Sequence, residues 1–109
     1  MTTLLKERLE AFAGLARVRL HTDWTDDENV LASRMAGATV VMSTGFRAPA
    51  SLLERIAPGV RCITFCGTGA VSFIDLDAAR RLGITICNAV HYGDNAVAEH
   101  AIALMFEHT

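Results

Sequence analysis

Short apolar runs at residues 39–43, 60–66 and 84–88 recur at intervals of about 20 residues, and the segments between them carry apolar positions at a helical period. Continuous rather than alternating apolarity marks strands buried on both faces, and parallel strands need crossovers long enough to hold a helix. The pattern predicts an α/β fold, a flavodoxin-like open parallel sheet with helices on both faces. A chain of 109 residues has room for one such domain and not for a complete two-domain enzyme.

The segments between the runs are specific enough to place. Residues 3–13 set Leu4, Leu5, Leu9, Phe12 and Ala13 on one helical face, and Val18-Arg19-Leu20-His21-Thr22 alternates as a short strand near an edge should. Acidic residues from Asp23 to Glu28 form a capping cluster ahead of a stripe at Val30, Leu31, Met35 and Ala38. Pro49 opens a helix carrying Leu52, Leu53 and Ile56, which Pro58-Gly59 closes. Asp75 heads a short helix ended by Gly83, and residues 97–106 form an apolar helix with Ala98, Ala101, Ile102 and Met105 on one side. A doubly wound sheet ordinarily begins on a central strand, yet none precedes the first helix. The last helix is still gathering apolar positions at Thr109. Both ends predict a domain cut short, with apolar surface and strand edges that a second copy would cover, hence a homo-oligomer.

Ten Lys and Arg against twelve Asp and Glu leave no basic footprint for nucleic acid. No apolar run approaches a membrane span, and charges at Lys6 and Glu7 come too early for a signal peptide, so a cytoplasmic protein without a membrane partner is predicted. Apolar residues make up 51% of the chain, which predicts a well-filled core. Cys62, Cys66 and Cys87 fall in or beside the apolar runs and are predicted to be free structural thiols in buried strands.

The sharpest local feature is Phe65-Cys66-Gly67-Thr68-Gly69-Ala70, at the end of a predicted buried strand. Glycines there let successive backbone N–H groups face outward and hold an anionic oxygen without a charged side chain; a purely structural tight turn has the same sequence. A dinucleotide fingerprint does not fit, because its third glycine would fall on Ser72. The histidines His21, His91, His100 and His108 make no metal-ligand spacing, and adjacent Glu99 and His100 point in different directions on a helix. Asp75 and Asp77 suit capping, whereas Arg47, after the first of the three runs, is either a solvated side chain or an anion contact on the ligand edge of the sheet.

The run from Gly67-Thr68-Gly69-Ala70 through Ile74-Asp75, Ala78-Ala79-Arg80-Arg81-Leu82-Gly83-Ile84 and Asn88 to Val97-Ala98-Glu99-His100-Ala101 resembles the substrate domain of the D-isomer-specific 2-hydroxyacid dehydrogenases, over roughly residues 40–105. The resemblance implies one substrate-binding domain over residues 1–109, with 96–109 beginning the helix that links it to a separate cofactor domain. It implies that amides of Thr68, Gly69 and Ala70 hold the carboxylate of a small 2-hydroxy or 2-keto acid, and that Tyr92, Asp94 and Val97 lie near the nicotinamide. In that family the catalytic arginine, glutamate and histidine belong to the cofactor domain, so no catalytic residue and no metal ligand is assigned here. The resemblance thus implies an oxidoreductase fragment, inactive alone, with NAD or NADP bound only in the intact protein. The alternative is a stand-alone flavodoxin-like module that binds a small carboxylate or a protein partner.

Overall fold

The computed structural model describes residues 2–108, and at residues 2, 3 and 5 the backbone alone. In chain order the elements are α1 (Thr2–Glu10), α2 (Glu28–Met35), β1 (Val40–Ser43), α3 (Ala50–Ile56), β2 (Cys62–Phe65), a 3₁₀ turn (Ala70–Ser72), α4 (Leu76–Arg81), β3 (Thr85–Asn88) and α5 (Asp94–Glu107). The strands form a parallel sheet in the order β1-β2-β3, with Val40 opposite Cys62 and Cys62 opposite Thr85. The predicted open parallel sheet is therefore present.

Local chemistry sets the helix boundaries. Asp27 caps α2 by accepting hydrogen bonds from the Asn29 and Val30 amides at 2.8 and 3.1 Å, and Asp75 caps α4 by accepting from Ala78 at 2.9 Å. Pro49, with φ fixed at -68°, precedes α3. After α4 the backbone reverses at Gly83 with φ +72°, a left-handed conformation that favours glycine.

Sequential order and right-handed crossovers together put α3 and α4 on the same face of the sheet. In parallel register Val41, Ile63 and Ile86 share that face, as do Ser43, Phe65 and Asn88. The core lies there: Leu52, Leu53 and Ile63 have no exposed surface, Val60 and Ile74 almost none, and Leu31 and Met35 bring in α2. Each such side chain contributes roughly 1.5–3 kcal/mol of burial. Predicted cover on both faces is realised on one. Val40 and Met42 on the opposite face are 61% and 57% exposed, and Thr85 and Cys87 beside them are also exposed.

Three further expectations are corrected. Residues 18–22 form no strand and join no sheet among the described residues, because alternation gives a strand only where an edge is at hand to pair with. Helix α1 forms, yet Leu4 and Phe12 of its predicted stripe stay largely exposed; the Leu5 side chain and Thr109 lie outside the described residues. The cysteines are free as predicted but not buried: Cys62 is half-buried, and Cys66 and Cys87 are exposed. Cys62 and Cys87 share the bare face, and electrostatic repulsion from the neighbouring Cys62 group pushes the Cys87 thiol above its ordinary range.

Candidate active site

The carboxyl ends of the three strands carry three loops, at residues 44–49, 66–75 and 89–93, and these are fastened together. The Cys66 amide donates to the Ser43 carbonyl at 2.8 Å, joining the β1 and β2 ends. The Ala89 amide donates to Gly67 at 3.0 Å, and Asn88 Nδ2 donates to the Thr68 carbonyl at 2.9 Å, joining β2 to β3. Ala48 forms a bridge to Ile74, donating to Phe73 at 2.8 Å and accepting from Asp75 at 3.1 Å. Open α/β sheets bind ligands at this edge.

Gly67 has a steric reason to be glycine. A Cβ there would stand 2.7 Å from the ring of Phe65, which is 5% exposed and stacked on Phe73 with centroids 5.1 Å apart. Gly69 has open space around its missing side chain and φ of -104°, so neither sterics nor backbone demands glycine. Among the described residues, the amides of Thr68, Gly69 and Ala70 donate to no protein acceptor, although the Thr68 carbonyl is fixed by Asn88 and the Gly69 carbonyl accepts from Ser72 at 3.1 Å. Consecutive N–H groups without a protein acceptor are the kind of donors that can take an anionic oxygen. Thr68 is exposed, Gly69 half-buried and Ala70 7% exposed, so the loop runs from solvent into the core.

The other predicted positions lie in the adjoining loop and helix start. Tyr92 and Val97 are 83% and 70% exposed. Asp94, also exposed, opens α5, and its Oδ2 lies 2.6 Å from His91 Nδ1. Glu99 and His100 are exposed further along α5. Two residues of this edge, Asn88 and His91, carry no site assignment from the sequence. Asn88 follows from parallel register, since the residue ending β3 must lie beside the turn ending β2. His91 has φ +61°, a conformation costly for a residue with a Cβ, and nothing in its sequence surroundings signals it.

Over residues 2–104 the chain matches the sequence profile of the D-isomer specific 2-hydroxyacid dehydrogenase catalytic domain. The chain belongs to that family. Its members are NAD-dependent dehydrogenases, and the match extends N-terminal to residue 40, where the recognisable motifs begin. The chain is 34% identical over 83 residues to a glycerate dehydrogenase of Methylorubrum extorquens, covering 76% of this chain and 25% of that protein. It is 33% identical over 86 residues to a hydroxypyruvate reductase of Blautia hydrogenotrophica, covering 79% and 26%. The fold superposes on the apo structure of D-lactate dehydrogenase from Escherichia coli with a TM-score of 0.71 and 27% identity, covering 96% of this chain and 32% of that one. The chain thus spans about a quarter of the curated relatives it matches. No helix of the described residues is long and apolar enough to cross a membrane.

Proposed function

We propose that residues 1–109 form the substrate-binding domain of an NAD(P)-dependent D-2-hydroxyacid dehydrogenase, in which the amides of Thr68, Gly69 and Ala70 hold the carboxylate of a small 2-hydroxy or 2-keto acid. The observation that carries this reading is the row of three free amides on a loop pinned by Asn88. Paired N–H donors fix a carboxylate in orientation, which presents the adjacent C2 carbon in one pose for hydride transfer. Membership of the dehydrogenase family supports the same assignment.

Tyr92 and Val97 lie in the loop and helix start that follow β3, and their exposed aromatic and aliphatic side chains are surfaces suited to the flat nicotinamide ring. When bound, the nicotinamide cofactor supplies or accepts the hydride. Asp94, whose Oδ2 lies against His91 Nδ1, stands with Tyr92 and Val97 at the cofactor side of the site. The stretch 96–109 leads toward a cofactor domain, which contributes the catalytic groups. The bare sheet face with Val40 and Met42, together with Ile102 and Met105 on α5, favours self-association. Light scattering that returned a strict monomer at all concentrations would reject that part. Three free thiols fit a reducing compartment, and we place the protein in the cytoplasm.

The test is a segment exchange. Residues 1–104 replace the matching segment of the Methylorubrum glycerate dehydrogenase, and NADH-dependent reduction of glyoxylate and hydroxypyruvate is measured for the chimera and for the 109-residue chain alone. The chimera is expected to turn over and the lone chain is not. Turnover by the lone chain, or a folded chimera that binds NADH but reduces no 2-keto acid, overturns the proposal.

A further inference from the structure

Arg47 is the only lysine or arginine in the three loops at the carboxyl edge of the sheet. Its place is set by its neighbours. Ala48, which follows it, is fully buried and bridges to Ile74, so the loop cannot shift as a whole. The Arg47 amide donates to Asp26 Oδ1 at 3.0 Å. The side chain is exposed, and among the described residues its guanidinium donates to no protein acceptor, whereas those of Arg34, Arg55 and Arg81 do. The acidic groups near this edge are engaged: Asp26 accepts from the Arg47 backbone, Asp75 from Ala78, and Asp94 lies against His91. The carboxyl edge therefore carries one unclaimed permanent cation, on the loop after β1, and three unclaimed amides, on the loop after β2 that Ala48 bridges at Ile74.

We propose that Arg47 is a specificity-determining residue that receives a second carboxylate of the substrate, so that the site favours 2-keto and 2-hydroxy dicarboxylic acids over monocarboxylic ones. This rests on the reading of Thr68–Ala70 as the holder of the first carboxylate. The loop amides take one carboxylate whatever the rest of the molecule carries. Discrimination therefore needs a charge on a neighbouring loop, and a guanidinium matches a carboxylate with two parallel donors.

The experiment is a titration of the isotope-labelled 109-residue chain with glyoxylate and with 2-oxoglutarate, followed at the Thr68, Gly69 and Ala70 amides, for the wild type, Arg47→Gln and Arg47→Lys. In the wild type 2-oxoglutarate is expected to bind about three- to fivefold more tightly than glyoxylate, the size of one exposed ion pair. Arg47→Gln is expected to erase that preference without changing glyoxylate affinity, and Arg47→Lys to restore part of it. Equal affinities in the wild type, or a preference that survives Arg47→Gln, overturns the role of Arg47 while leaving the carboxylate site intact. Amides that respond to neither acid overturn both.

Discussion

The two glycines of the turn after β2 make opposite predictions. An alanine at Gly67 would place its Cβ 2.7 Å from the Phe65 ring, far inside van der Waals contact. That ring is 5% exposed and lies against Phe73, so it cannot swing aside without opening the core beside Ile74. Overpacking of this kind costs roughly 1–3 kcal/mol. For a domain of this size that lowers Tm by roughly 5–15 °C. Gly69→Ala meets open space and no positive φ, so its effect stays within about 0.5 kcal/mol of zero. Thermal and urea unfolding of both variants measure the contrast, and Phe65→Leu supplies the control, since a smaller side chain makes room for the Cβ. Gly67→Ala is expected to cost less in the Phe65→Leu background than in the wild type. A Gly67→Ala protein as stable as the wild type, or one no less damaged in that background, refutes the steric account of the turn.

Other consequences are as direct. Asp75→Ala removes the acceptor of the Ala78 amide at the start of a six-residue helix and is expected to lower stability by about 1 kcal/mol in urea unfolding, with Asp75→Asn losing less. Asp23 is hydrogen bonded by Arg34, which holds its carboxyl below the ordinary value of 3.8. A carboxylate with a depressed folded pKa adds stability above its unfolded pKa and loses it as pH falls through the folded one. The wild type is therefore expected to exceed Asp23→Asn in urea midpoint near neutrality and to converge with it in strong acid. His91→Gly relieves a left-handed conformation at the cost of an exposed side-chain hydrogen bond to Asp94, and a net gain of about 1 kcal/mol is expected in thermal unfolding.

The spacing of the apolar runs reads directly as the parallel sheet, because buried parallel strands and their crossover helices impose a period that few other folds share. Asp27, Asp75 and Pro49 announce the starts of α2, α4 and α3 because capping is local chemistry. Residues 18–22 mislead for the complementary reason: their alternation is local, but a strand needs a partner edge, and that is a property of the whole sheet. The same holds for the second covering layer, which the chain composition invites and which no described helix supplies. At the candidate site the glycine turn is legible from its residue types, while the amides that stay free depend on which carbonyls the neighbouring loops leave within reach. Asn88 shows the boundary well. Its identity is plain in the sequence, but its hydrogen bond to the Thr68 carbonyl requires β2 and β3 to be adjacent and parallel.

The proposed role of the Thr68, Gly69 and Ala70 amides is to seat a substrate carboxylate. Its most direct test is the amide spectrum of the isotope-labelled chain as glyoxylate is added, with ethylene glycol as a control of similar size that lacks the carboxylate. Saturable shifts at those three amides with glyoxylate and not with the control are predicted. Amides that stay in place, or shifts confined to surfaces away from the carboxyl edge of the sheet, would contradict that role.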